Sequence, residues 1–226
     1  MSRNTDNIFD SKNGLAQMIV LVGRSGRGKS HLMRYLLTDM FSRGKLKFGL
    51  VFTKTKYNND YDFLPSNRVI EGFDEGKLET YFNNLKKIKE SKKKVPPNFI
   101  IFDDLQGVLT NQTRFMINFL ATHRHLNITV FTAVQYLGSS NSVNPLAREQ
   151  TSLAILFQSR TRRTLENIYN AWGGLFPTFD EFKDHFLTAT QEKYTAMVYS
   201  EHVDNIEDNY ISIQAPADFP KIEFKF

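Results

Sequence analysis

Eight consecutive residues carry the clearest chemistry in this 226-residue chain, Gly23-Arg24-Ser25-Gly26-Arg27-Gly28-Lys29-Ser30. They match the pattern G-x-x-x-x-G-K-[ST] in full. Glycines let a backbone wrap closely around phosphate and aim several N–H groups at one point. A helix starting at the end of such a loop adds the positive end of its dipole. Lys29 is placed to reach the β- and γ-phosphates, and the Ser30 hydroxyl to ligate Mg²⁺. Residues 23–30, with His31 at the helix start, are therefore expected to hold a nucleoside triphosphate.

A second chemical group closes the run Asn98-Phe99-Ile100-Ile101-Phe102-Asp103-Asp104. Four apolar residues before Asp103 predict that it emerges at the carboxyl end of a buried parallel strand, the edge where ligands sit in open α/β sheets. A carboxylate there can hold Mg²⁺ opposite Ser30. Asp104, one residue on, is expected to point elsewhere and to polarise an attacking water as general base, or else to brace the site. Gln135 follows the apolar run Ile128-Thr129-Val130-Phe131-Thr132-Ala133-Val134. An amide there can sense the γ-phosphate or orient the water.

These residues need elements to position them. The run Met18–Val22 predicts a strand before the loop, and Leu32, Met33, Leu36 and Leu37 a helix after it. Further strands are expected at 47–52, 68–71, 98–104, 128–133 and 153–157, with later candidates at 194–199 and 210–213. Helices are read from Leu78, Tyr81, Phe82, Leu85 and Ile88, from Phe115, Met116, Phe119, Leu120 and His123, and from Leu165, Ile168, Tyr169 and Trp172. Thr178-x-x-Glu181 reads as a capping box opening a helix with Phe182 and Phe186 inward. Strands alternating with helices predict an α/β, three-layer P-loop NTPase fold. Its central sheet is mostly parallel, with additional C-terminal strands. Residues 1–15 are read as a flexible N-terminal segment, 16–200 as the ATPase domain and 201–226 as a C-terminal strand and tail.

Composition bounds the function. No cysteine is present, which excludes disulfides, thiolate metal sites and cysteine nucleophiles and fits an intracellular setting. No run reaches the ~18 apolar residues of a membrane span, and the polar start Met1-Ser2-Arg3-Asn4 is unlike a signal peptide. A net charge of +5 permits nucleic-acid binding without requiring it. Twenty phenylalanines and nine tyrosines are expected to be core for the most part. His123 and His125 are too close together, and too short of acids, for a zinc site.

The order of P-loop, Phe-Asp-Asp ending, Gln135 and Asn144-Pro145-Leu146-Ala147-Arg148-Glu149-Gln150 resembles the FtsK/HerA superfamily. Within it, the pattern is most similar to the poxvirus-type genome-packaging ATPases of large DNA viruses and their satellite viruses. The likeness covers roughly residues 16 to 200, on alternation and motif order. It implies a sheet in which the strand ending at Gln135 lies between the P-loop strand and the Asp103 strand. It also implies ATP and Mg²⁺ as cofactors, assembly into a hexameric or pentameric ring, and pumping of double-stranded DNA into a capsid through its vertex or portal components. The implied location is the host-cell cytoplasm or viral factory, or association with the virion. Many relatives of the wider superfamily carry Glu where this chain has Asp104.

Ring ATPases deliver a positive charge from a neighbouring subunit to the transition state. Arg148, in the segment matching the family's Pro-x-x-Arg pattern, is the first candidate. Arg160, Arg162 and Arg163 are the second, with pairing to Glu166 as the plainer reading, and Arg124 is the third. Lys54, Lys56 and Lys92-Lys93-Lys94 are cations available to DNA phosphate, or simply solvated faces. A regulatory GTPase is the chief alternative, since Asp104-Leu105-Gln106-Gly107 fits D-x-x-G. That class needs an N-K-x-D guanine reader, which Val134-Gln135-Tyr136-Leu137 does not supply. A small-molecule kinase or a non-catalytic scaffold would retain the loop too.

Overall fold

Uninterrupted apolar runs become strands buried on both faces, and the computed structural model stacks five of them side by side. It describes residues 16–58, 60–105, 107–108, 113–137, 145–201 and 209–219. The expected loose segment 1–15, Gln106 of the D-x-x-G match, Asn144, and parts of the C-terminal tail lie outside the described residues.

In chain order the elements are β1 (Met18–Val22), α1 (Lys29–Ser42), β2 (Phe48–Thr53), β3 (Val69–Glu71) and α2 (Glu75–Glu90). There follow β4 (Asn98–Asp103), α3 (Arg114–Thr122), β5 (Ile128–Val134), α4 (Pro145–Glu149) and β6 (Leu153–Phe157). The chain continues through α5 (Arg162–Trp172), α6 (Phe179–Ala189), β7 (Thr195–Ser200) and β8 (Tyr210–Gln214). One eight-stranded sheet runs in the order β3-β2-β4-β5-β1-β6-β7-β8. β1 to β6 are parallel, while β7 pairs antiparallel with β6 and β8 antiparallel with β7. β5 lies between β1 and β4, as the resemblance implied.

Because side chains alternate along a strand, the sheet has two separate cores. Met18, Val20 and Val22 of β1 and Ile100 and Phe102 of β4 meet α2, α3, α5 and α6. Ile19, Leu21, Phe99 and Ile101 meet Leu32, Met33, Leu36, Leu37 and Met40 of α1, beside Tyr61, Phe63 and Leu64. Nine phenylalanines among the described residues are under 2 % exposed, so packing absorbs much of the aromatic content. Each buried ring contributes about 1.5–3 kcal/mol of apolar transfer.

Side chains cap α2, α3 and α6, the last at the Thr178 that the sequence predicts. Asp74 accepts from the Lys77 N–H at 3.0 Å, Thr113 from Met116 at 3.2 Å and Thr178 from Glu181 at 3.3 Å. α1 is different: its N-cap is Gly28, no side chain caps it, and its first turn holds no acid.

His123 is a core residue just past α3. It is fully buried, and its Nδ1–H donates to the Ile128 carbonyl at 2.7 Å. Burial lowers its pKa from 6.5 to about 4, against the raising effect of that hydrogen bond. As pH falls from 6.5 towards 4, the unfolded chain takes up a proton that the fold refuses. Stability is therefore lost as pH drops through that window, by roughly 3 kcal/mol in all. Urea midpoints measured between pH 7 and 4.5 should fall more steeply for the wild type than for His123→Gln. Parallel profiles would contradict this.

Candidate nucleotide-binding site

The carboxyl ends of β1, β5, β4 and β6 meet on one sheet edge. The Gly23 N–H donates to Val134 O at 3.0 Å and the Asp104 N–H to Ala133 O at 3.2 Å. The loop start and the acid pair are thus both tied to the end of β5. Gly23 cannot be larger, since a Cβ there would lie 2.6 Å from Phe157 Cβ. Gly28 takes φ 97 to turn the loop into α1, a left-handed conformation that favours glycine. The first-turn N–H groups of α1 that no side chain caps suit an anion.

A cavity of about 850 Å³ opens at this edge. Ser25, Gly26, Gly28, Lys29, Ser30 and His31 form one wall, and Asp103 and Asp104 another. Lys29 is buried, with Nζ donating to Gly23 O at 2.6 Å and Arg24 O at 3.3 Å. Burial lowers its pKa, while Asp104 and then Asp103 oppose the shift. The strand alternation that predicts opposite directions for the two acids ends at Asp103. Asp104 adopts φ 52 and lines the same cavity as Asp103, while the two carboxylates take different partners.

Asp103 is 4 % exposed and accepts from the Tyr61 hydroxyl at 2.9 Å. Burial pushes its carboxyl up to about 6; the Tyr61 hydrogen bond lowers it, neighbouring Asp104 raises it and Lys29 lowers it. Asp104 Oδ2 accepts from Gln135 Nε2 at 3.2 Å, whereas its Oδ1 is buried without a partner among the described residues. A buried unpaired carboxylate oxygen is costly, and a hard cation or a bound water would satisfy it. A hydroxyl and two carboxylates on one cavity are all hard-oxygen donors and fit Mg²⁺.

A second cavity of about 660 Å³ shares Ser25 with the first and is lined by Gly23, Arg24, Gln135, Ser159 and Arg163. Arg24 donates to Thr161 Oγ1 at 3.0 Å and Arg27 to Gln158 Oε1 at 3.2 Å, fastening the loop to the β6–α5 connection. Arg162 turns outward, bonded to Glu166 at 2.8 Å and 84 % exposed, as the plainer reading expected. Arg124 braces the opposite edge through Gln150 O at 2.6 Å and Ser152 Oγ at 3.1 Å.

Arg148 is not brought to this site. It lines a separate cleft with Glu149, Trp172, Tyr199 and Glu201. Its helix precedes β6, whose start pairs with the start of β1. The five residues of β1 separate that end from the phosphate loop, about 15 Å at strand rise.

Several residues at and behind the cavity carried no sequence signal. Tyr61 stood in a turn-rich stretch and Tyr194 at a strand start, yet Tyr61 bonds Asp103 from behind the cavity and Tyr194 packs against Gly28 on its wall. Gln214, Ala215, Pro216 and Ala217, at and beyond the end of β8, complete the far wall. Nε2 of His31 bonds the Pro216 carbonyl at 2.9 Å, and its ring meets Phe219 at 5.2 Å. Only the antiparallel return of β7 and β8 places these residues.

Fold and cradle define a P-loop NTPase. Residues 9–171 match the model of a family described as Poxvirus A32 protein, and the chain belongs to that family. This is the poxvirus-type packaging group that the motif order resembles. Uncharacterized protein 075L of Invertebrate iridescent virus 6 is 25 % identical over 195 residues, covering 84 % of this chain and 72 % of that protein. Among solved structures, the genome packaging NTPase B204 of Sulfolobus turreted icosahedral virus 2, in complex with ATPγS, superposes with TM-score 0.62 at 15 % identity. That match covers 89 % of this chain and 98 % of B204. The pCW3 conjugation coupling protein TcpA, with ATPγS, gives TM-score 0.61 at 12 % identity over 94 % of this chain and 62 % of TcpA. Among the described residues, no helix is long and apolar enough to cross a membrane.

Proposed function

We propose that this chain is an ATP-hydrolysing motor that drives double-stranded DNA into a viral capsid, working as a ring of identical subunits. One observation carries the reading: a complete phosphate loop and an acid pair backed by Gln135 share one sheet edge and one cavity. Family membership supplies the packaging context.

In this reading the loop N–H groups hold the phosphates, and Lys29 neutralises charge on the β- and γ-oxygens. Ser30 and Asp103 are the residues that would hold Mg²⁺, which supplies further charge neutralisation at the phosphates when bound. Asp104 accepts a proton from the attacking water, and Gln135 holds the Asp104 carboxylate in position through Oδ2. Arg148 lies too far from the loop of its own subunit, so its role as a catalytic cation requires delivery to a neighbour. Arg163, on the adjoining cavity, is the alternative within the same subunit. Exposed Lys54, Lys56 and Lys92–Lys94 are the cations offered to DNA phosphate.

The test measures ATP hydrolysis with and without long duplex DNA, together with molecular mass in solution. Stimulation by DNA that weakens with salt, in an assembly of several subunits, is expected. Phosphate transfer to a nucleoside, or a monomer whose turnover ignores DNA, would overturn the proposal.

A further inference from the structure

We propose that Tyr61 is a positioning residue for the metal-holding acid: its hydroxyl, donated to Asp103 Oδ2 at 2.9 Å, fixes the rotation of that carboxylate and leaves Oδ1 for the cation. The inference rests on the nucleotide-site reading above and names a residue that reading does not use.

Rotation about the last bond of an aspartate side chain is soft, with broad and roughly two-fold minima. A carboxylate meant to meet a cation at one angle therefore needs a partner on its other oxygen. Tyr61 supplies one from a fixed place. It is 5 % exposed, its ring lies 6.1 Å from that of Phe63, and its oxygen sits 3.4 Å from Met33 Sδ of α1. The phenol thus bridges the helix that carries Lys29 and Ser30 to the strand that carries Asp103. The segment leading to it, between β2 and β3, also contributes Thr55, Asn58 and Asp60 to the cavity wall. Partners behind a metal ligand commonly change metal affinity about 10–100-fold when removed.

The test uses the full chain and its Tyr61→Phe variant, which keeps the ring and removes only the donor. ATPγS affinity is measured in EDTA, and Mn²⁺ affinity of the ATPγS complex by the electron paramagnetic resonance of free Mn²⁺. Tyr61→Phe should weaken Mn²⁺ about tenfold while ATPγS affinity in EDTA stays within about twofold. In an Asp103→Asn background the same substitution should have no further effect on Mn²⁺, as two members of one pair require. Unchanged Mn²⁺ affinity with a lowered melting temperature would make Tyr61 a packing residue and overturn the proposal. So would an equal loss in both backgrounds. A wild type that binds ATPγS but gains no Mn²⁺ site would remove the metal role of Asp103 and this proposal with it. A wild type that binds no ATPγS would overturn the nucleotide reading itself.

Discussion

Lys29→Ala should lower ATP hydrolysis by about 10³-fold or more while the fold survives, because it deletes the one cation the loop directs at the transferring phosphate. The size of the effect follows from burial. Lys29 is 7 % exposed, so water cannot replace its charge when negative charge moves onto the leaving oxygens. Its ammonium is held by the Gly23 and Arg24 carbonyls, fixed before any substrate arrives. The fold should tolerate the change because the two effects on stability oppose each other. The Gly23 carbonyl loses a partner at a cost of about 1–3 kcal/mol, while the burial penalty that lowers the Lys29 pKa disappears. Phosphate release and a thermal melt on the same sample check both halves. Turnover above a few per cent of wild type in a folded variant would remove Lys29 from the mechanism.

Asp104→Asn should separate chemistry from binding. Asparagine tolerates the left-handed backbone at φ 52 and keeps the shape of the side chain, so the β4 end is not disturbed. What it loses is the ability to take a proton from water, a contribution of about 10²–10⁴-fold. Turnover number should fall by that factor with little change in the Michaelis constant, the mark of an interaction made in the transition state. A normal turnover number would leave Asp104 as a brace for Gln135. A large rise in the Michaelis constant alone would instead make Asp104 part of nucleotide binding.

How far these residues could be read from the sequence depended on how local their causes are. The strand, loop and helix around Lys29 are set by neighbours in the chain, so periodicity and glycine placement reveal them. Asp103 was legible for the same reason, since an uninterrupted apolar run has one exit. The cap at Thr178 likewise reaches only three positions along the chain. Tyr61 and Gln214 were not legible. One reaches its partner across 42 residues, and the other gains its place from two antiparallel strands added at the edge of a parallel sheet. The expected divergence of the two acids shows in their partners, Tyr61 for Asp103 and Gln135 for Asp104, but the positive φ that keeps Asp104 on the shared cavity has no signature in the strand period. The Arg160–Arg163 cluster shows a mixed outcome: Arg162 is a surface partner of Glu166, while Arg163 borders the loop cavity. Charge spacing alone cannot sort such neighbours, because α5 turns them to different sides.

Diffraction from crystals grown with Mn²⁺ and ATPγS, collected at the manganese edge, puts the site itself to the question. Anomalous signal beside the Ser30 hydroxyl, with Asp103 facing it and the γ-phosphate under Lys29, is the expected result. Nucleotide density away from residues 23–31, or manganese with neither Ser30 nor Asp103 in reach, would contradict the account.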